Sequence, residues 1–170
     1  MLKPLTLTAA LALVAGTTAA GTGLTRVEID TEITIAAPVE AVWATLADLQ
    51  SYPDWNPYHV RVDGPLEQGG KLTVQIEKPN GKSLSIRPHV MEVIPHRSLV
   101  WGGGLRGIFH GEHRFDLEPV GAHCTRLSHT EVFSGLFVRT AALDAIEPGY
   151  RAMNRALKDH LEQGRTPGAC

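Results

Sequence analysis

The stretch FHGEHRFDLEPVGAHCTRLSHTEVF, residues 109–133, alternates apolar and polar side chains on both sides of a glycine-containing turn. Its largest apolar residues, Phe109, Phe115, Leu117, Leu127 and Phe133, all have odd numbers. Because successive side chains of a strand point to opposite faces, the stretch predicts two antiparallel strands that share one buried face. A turn centred near residue 121 would pair Phe115 with Leu127.

The same register places His113 opposite His129. Glu131 has the same parity, so all three titratable side chains are predicted to face the core side of the sheet. They could bind a metal, act as acid and base on a ligand, hydrogen-bond a polar ligand head, or satisfy one another in a buried network. Metal binding is the weakest of these interpretations, because nothing in the sequence indicates the outer partners that a metal site needs.

On the N-terminal side of this hairpin, apolar and polar residues alternate with a period of two in two further regions. This alternation predicts a first strand from Thr25 to Ile35 and a meander of strands between Val60 and Trp101, with an edge or a bulge at Pro88. Between them, apolar residues at helical spacing follow Pro38, and the prolines of YPDWNP (residues 52–57) end the helical pattern.

The C-terminal region has helical periodicity. Tyr150, Met153, Leu157 and Leu161 form one apolar face, and Pro148 suits the first turn. The order predicts an α+β fold in which a curved antiparallel sheet of about seven strands wraps around a long C-terminal helix, with a short helix pair after the first strand. Such an arrangement commonly leaves an internal pocket.

Composition narrows the class of protein. The chain has 170 residues, 43% hydrophobic and 20% charged, and a net charge of -2, which suits one globular domain without an overall field for nucleic acid or anionic lipid. Two cysteines, Cys124 and Cys170, supply neither a disulfide framework nor a four-cysteine zinc site, although one bridge between them stays open.

Residues 1–20 resemble a secretory signal peptide, with Lys3, an apolar run from Leu5 to Ala15 and small residues after it. If this leader is cleaved, we expect an exported protein, periplasmic or extracellular. Otherwise we expect a cytoplasmic or membrane-associated one. The apolar run is too short to span a bilayer comfortably.

Several motifs resemble the START-like or Bet v 1-like (SRPBCC) superfamily, specifically its bacterial polyketide cyclase and dehydrase-like members. They are YPDWNP, GIFHGEHRF from residue 107, SHTEVFSGL from residue 128 and MNRALK from residue 153. The resemblance implies a helix-grip fold over a START-like domain at residues 24–165, with a hydrophobic ligand cavity between the sheet and the last helix.

We therefore expect a protein that binds a small hydrophobic or amphipathic molecule, lipid-like or polyketide-like, for transport, sensing or sequestration. The alternative is an enzyme of cyclase, dehydratase or hydrolase type that uses His or Glu as general acid or base. A non-catalytic role is favoured, and no cofactor, metal, nucleic acid partner or stable membrane insertion of the mature domain is expected. The predicted ligand-binding residues are Tyr52, Trp55, Trp101, Phe109, His113, Phe115, His129, Glu131, Phe133, Tyr150 and Met153.

Overall fold

The computed structural model describes residues 25–164 and Cys170, and within them it has the predicted α+β helix-grip architecture. The strands are β1 (Thr25–Ile35), β2 (His59–Asp63), β3 (Thr73–Glu77), β4 (Ser83–Ile86), β5 (His89–Ile94), β6 (Ser98–Leu105), β7 (Phe109–Gly121) and β8 (Cys124–Gly135). The helices are α1 (Val39–Ala47), α2 (Tyr52–Trp55) and α3 (Ile146–Glu162), with single 3₁₀ turns at Leu49–Ser51 and Val138–Thr140. The predicted leader lies outside the described residues.

The strands form two antiparallel sheets instead of the single sheet expected. One has five strands in the order β1-β8-β7-β6-β5, and the other has three in the order β2-β3-β4. The chain passes from one sheet to the other at Pro88, which has no backbone N–H to continue a ladder. The sheets still meet there, since the Leu72 N–H donates to the Pro88 carbonyl (2.9 Å) and the Val90 N–H to the Gly70 carbonyl (2.8 Å).

The hairpin of β7 and β8 has the predicted parity but a different register. The expected pairing of His113 with His129 is wrong, because His113 lies opposite Glu131 and Phe115 lies opposite His129. Beyond an irregularity between Pro119 and Gly121, the strands pair about residue 122 instead of residue 121, which displaces every partner by two residues. A displacement of two keeps every side chain on its predicted face.

The segment YPDWNP does not end the first helical region as expected. Tyr52–Trp55 form the extra turn α2, with Pro53 in its first turn, where a missing N–H costs nothing. The Tyr52 hydroxyl donates to the Leu46 carbonyl (2.9 Å), which ties α2 back to α1. The helix pair after β1 is therefore present.

Helix α3 covers the concave side of the five-stranded sheet. Its buried residues are Ile146, Gly149, Tyr150, Met153, Asn154 and Leu157. Lys158 Nζ donates to the Thr34 carbonyl of β1 (2.8 Å). A Cβ at Gly149 would overlap the ring of Tyr58, so glycine permits the close approach of α3 to β2.

A disulfide joins Cys124, at the start of β8, to Cys170, with their Cα atoms 5.7 Å apart. The sequence alone left this pairing open. The bridge fastens Cys170 to the start of β8.

Candidate functional site

A cavity of about 460 Å³ lies between the two sheets and the start of α3. Most of its wall is apolar, supplied by Ile76, Leu84, Ile86, Pro88, Trp101, Phe109, Phe133, Leu143 and Ile146. A polar group stands on one part of the wall, formed by Tyr58, His59, His113, Glu131 and Tyr150. Lys78 and Arg87 also line it. The site thus combines a large apolar surface with a few polar groups, as small-molecule sites generally do.

Six of the predicted ligand-binding residues line this cavity: Trp101, Phe109, His113, Glu131, Phe133 and Tyr150. The other five, Tyr52, Trp55, Phe115, His129 and Met153, are buried in the packed core and are not in the cavity wall. Tyr52 and Trp55 pack against each other in α2, and Phe115 packs on Trp101 and His129. Their apolar surface is already covered by protein.

The predicted site residues omit two members of the polar group, Tyr58 and His59, as well as Lys78 and Arg87. Strict alternation with Val60 and Val62 would place His59 on the opposite face of the strand. A register shift between His59 and Arg61 changes this, so His59 and Val62 are both buried. The shift has no local sequence signal such as glycine or proline within β2.

A chain of buried hydrogen bonds behind the wall determines where the imidazole protons lie. The Thr31 hydroxyl donates to the His129 carbonyl (2.9 Å), so its oxygen accepts from Asn154 Nδ2 (3.0 Å). Asn154 Oδ1 then faces His129 Nδ1 (2.8 Å) and accepts a hydrogen bond from the Nδ1–H group. His129 Nε2 keeps its lone pair and accepts from His113 Nε2 (2.7 Å). The network therefore assigns a tautomer to both histidines.

In this tautomer His113 Nδ1 carries no proton. Nδ1 of His113 and Nδ1 of His59 are buried and have no hydrogen-bond partner among the described residues. The two rings lie 5.1 Å apart, centroid to centroid, and Trp101 stacks on His113 at 4.8 Å. This side of the cluster is polar and incompletely satisfied, which is uncommon for buried groups.

Burial keeps all three imidazoles neutral at pH 7. It lowers the pKa of His59 and of His129 to about 3, although the hydrogen bond from His129 to Asn154 opposes the shift. Burial also lowers the pKa of His113 well below its ordinary value, and repulsion from the other two imidazoles adds to the shift. A charged form would have to give up its hydration, and burial makes that loss costly.

Glu131 is the acidic group of the wall. The Tyr150 hydroxyl donates to Glu131 Oε2 in a short hydrogen bond. Burial raises the pKa of Glu131 to about 7, although the bond from Tyr150 opposes that shift. Burial, with the nearby Glu131 charge, raises the pKa of Tyr58 and of Tyr150, so both phenols stay protonated. At neutral pH, Glu131 is thus present in both protonation states, beside neutral donors and acceptors.

Residues 26–162 match the protein family described as "Polyketide cyclase / dehydrase and lipid transport", and the chain belongs to that family. Its suspected membership of the START-like, polyketide cyclase-like group is thereby confirmed. No curated protein matches the sequence.

Solved structures of the same fold share little sequence with this chain. The Zhui aromatase/cyclase of a Streptomyces species is 19% identical, with a TM-score of 0.68 over 85% of this chain and 99% of that one. A START superfamily protein from Mycobacterium smegmatis is 17% identical, with a TM-score of 0.61 over 80% and 97%. A norcoclaurine synthase point mutant from Thalictrum, in complex with a transition-state analogue, is 14% identical, with a TM-score of 0.64 over 82% and 96%. These likenesses establish the fold.

Neither a membrane-spanning helix nor a group of metal ligands is found within residues 25–164. No helix in that range is both long and apolar enough to cross a membrane. Over the same residues, no group of three or more His, Cys, Asp or Glu side chains is arranged to hold a metal ion.

Proposed function

We propose that this protein binds a small amphipathic molecule in the cavity, for transport, sensing or sequestration. The observation that carries the proposal is the division of the wall into a broad apolar part and one compact polar cluster. The apolar body of the ligand packs against Trp101, Phe109 and Phe133. Its polar group lies at Glu131, His113 and Tyr150.

Burial of the apolar body supplies most of the affinity, at about 25 cal/mol for each Å² removed from water, before ordering costs. The polar cluster sets orientation. Because its imidazoles and phenols are neutral at pH 7, the cluster suits an uncharged hydroxyl or carbonyl better than a carboxylate, which Glu131 would repel when ionised.

We also propose export, on the basis of the leader-like residues 1–20 and the disulfide between Cys124 and Cys170. Disulfides persist in oxidising compartments and are rare in the cytosol. The N-terminal residue and the thiol content of the protein recovered from its host test this part. A chain that starts at Met1 and has two free thiols would contradict it.

The test of binding is a ligand series in which only the polar group changes. Naphthol, methoxynaphthalene and naphthoate share one apolar body, so their thermal shifts report on the polar cluster. We expect naphthol to raise Tm most, because it both donates to and accepts from the cluster. Equal shifts for all three, or none, together with no co-purified molecule in native mass spectrometry, would contradict binding by this site.

One observation supports an enzyme as the second candidate: Glu131, with a pKa of about 7, can donate or accept a proton near neutral pH. The two candidates predict different fates for a co-purified molecule. A binding protein returns it unchanged. An enzyme converts it, and Glu131→Gln slows that conversion by ~100-fold or more while affinity persists.

A further inference from the structure

Four large apolar side chains are exposed together at one end of the molecule. They are Leu105, the last residue of β6, Ile108, in the connection between β6 and β7, and Leu136 and Phe137, directly after β8. Their exposed fractions are 67%, 47%, 69% and 54%. Seven large apolar residues are exposed in the described part of the chain, and these four are the majority. We call them the mouth patch.

Hydrogen bonds hold the two connections side by side. The Leu136 N–H donates to the Gly107 carbonyl and the Phe137 N–H to the Ile108 carbonyl, both at 3.1 Å. At Gly135, a Cβ would overlap the Ile108 carbonyl, so the backbones are in contact. The four exposed residues therefore lie on two adjacent segments at the same end of the molecule. Monomeric proteins seldom expose groups of large apolar residues without a use.

The mouth patch adjoins the cavity. Gly104 and Phe109, which flank the first connection, line the cavity, and so do Ala141 and Ala142, which follow the second. A surface that contacts the mouth patch would thus lie at the rim through which a ligand enters.

Charge near the mouth patch is positive, although the whole chain has a net charge of -2. Arg106 and Arg139 are exposed, one in each connection, and neither forms an ion pair with another residue in the described part. Residues 104–109 and 135–143 contain no Asp or Glu. Because salt screens charges that are more than about a Debye length apart, the electrostatic attraction at this end depends on these local charges more than on the net charge of the chain.

We propose that the mouth patch docks on an anionic lipid surface, with the cavity rim against the bilayer. Exposed apolar side chains flanked by arginines are the combination that binds an anionic membrane interface, because neither signal alone anchors stably. The first described residue of β1 lies at the same end of the sheet, since Thr25 pairs with Gly135. Docking goes beyond ligand binding, and it is tested without any cavity ligand.

The first experiment measures sedimentation of the full chain with vesicles of phosphatidylcholine, with and without phosphatidylglycerol. We expect the double variant Leu136→Asp, Phe137→Asp to lose ~10-fold or more of its affinity for the anionic vesicles, because apolar contact is replaced by like charge. Arg106→Ala should weaken binding to anionic vesicles and leave binding to neutral vesicles unchanged. Val120→Asp is the matched control, since Val120 is an exposed apolar residue at the other end of β7, and it should bind as the unaltered chain does.

The second experiment is site-specific, so that binding by residues 1–24 cannot imitate docking. Phe137→Trp should give tryptophan emission that shifts to the blue with anionic vesicles and is quenched by brominated lipid, beyond the response of the unaltered chain. Val120→Trp should show no added quenching. Quenching at residue 137 supports docking.

Three results would overturn the proposal. One is absence of quenching at residue 137 together with unchanged sedimentation of the double variant. Another is blue emission from Phe137→Trp in buffer that vesicles do not alter, which would show that protein covers the mouth patch. The third is a dimer of the unaltered chain that the double variant dissociates, which would assign the surface to a second copy. The naphthol thermal shift of the double variant separates the claims, because its retention leaves the proposed function standing if docking fails.

Discussion

His129 and Glu131 stand two residues apart on β8 and face the same side, yet their surroundings differ. His129 is fully buried and bonded through both ring nitrogens, to Asn154 and to His113. Glu131 lines the cavity and accepts a hydrogen bond from the Tyr150 hydroxyl. His129 therefore belongs to a hydrogen-bond network that is complete within the core. Glu131, on the same face of the same strand, is available to contact a ligand. Alternation along a strand identifies the face, whereas the position of α3 decides which role each residue has.

The largest effect should come from His129→Leu. Removal of the imidazole leaves Asn154 Oδ1 and the His113 Nε2 proton without partners in the core. We expect a loss of about 3 kcal/mol in the free energy of unfolding, measured by urea denaturation. Glu131→Gln, the comparison variant, should lose far less. Equal losses for the two variants would remove the distinction drawn between them.

The next effect is a loss of stability in acid. The pKa of His59 and of His129 is about 3 in the fold, below the ordinary 6.5, and that of His113 is also lowered, so the unfolded chain takes up protons first. The stability present above pH 6.5 therefore declines as the pH falls toward 3. We expect a loss of at least about 2 kcal/mol between pH 6.5 and pH 5.

Two variants check the source of that slope in urea denaturation at several pH values. His59→Asn should reduce the dependence of the free energy of unfolding on pH by the contribution of one imidazole. His123→Asn, which removes an exposed histidine, should leave it unchanged. If both variants behave alike, the buried cluster is not responsible.

A smaller effect of opposite sign belongs to Glu131. Its pKa in the fold, about 7, lies above the ordinary 4.5, so the fold loses stability as the pH rises through 7. Between pH 6.5 and pH 8, where the imidazoles stay neutral, the unaltered protein should lose about 1 kcal/mol relative to Glu131→Gln. Parallel urea midpoints for the two proteins over this range would contradict the raised pKa.

The smallest effect is a change in one titration. Tyr150→Phe removes the hydrogen bond that holds the pKa of Glu131 down, so the carboxyl should titrate at higher pH, as read from its carbon chemical shift in NMR spectra. Tyr52→Phe is the matched control, because its hydroxyl bonds to the Leu46 carbonyl in the core. A lower Glu131 pKa in Tyr150→Phe would show that the phenol is not its stabilising partner.

The sequence predicted the α+β fold, the face of β7 and β8, and the apolar side of α3, because each depends on a local period. It also predicted that His113, His129 and Glu131 face inward. It could not separate His129 from Glu131, since that depends on Asn154, which lies on α3 and is 25 residues away in the chain.

His59 was missed for a related reason. A one-residue register shift in β2 reversed its side, and nothing local marks that shift. The β7–β8 register was also misplaced, because the hairpin is centred on residue 122 and not on residue 121, a difference that changes the partners without altering parity. Sequence periodicity thus predicts which face of a strand a side chain occupies. The residues that it contacts across the core are seen only in the folded structure.

The central claim, that the cavity is the binding site, is tested most directly by filling it. Gly103 lines the cavity, and a Cβ at this position would make only ordinary van der Waals contacts. Gly121 is exposed and does not line the cavity, so it serves as the control. We predict that naphthol binds the unaltered protein and Gly121→Leu with the same affinity, and Gly103→Leu at least ~10-fold more weakly, because leucine occupies the space of the ligand body. Equal affinity of naphthol for all three folded proteins would contradict binding in this cavity.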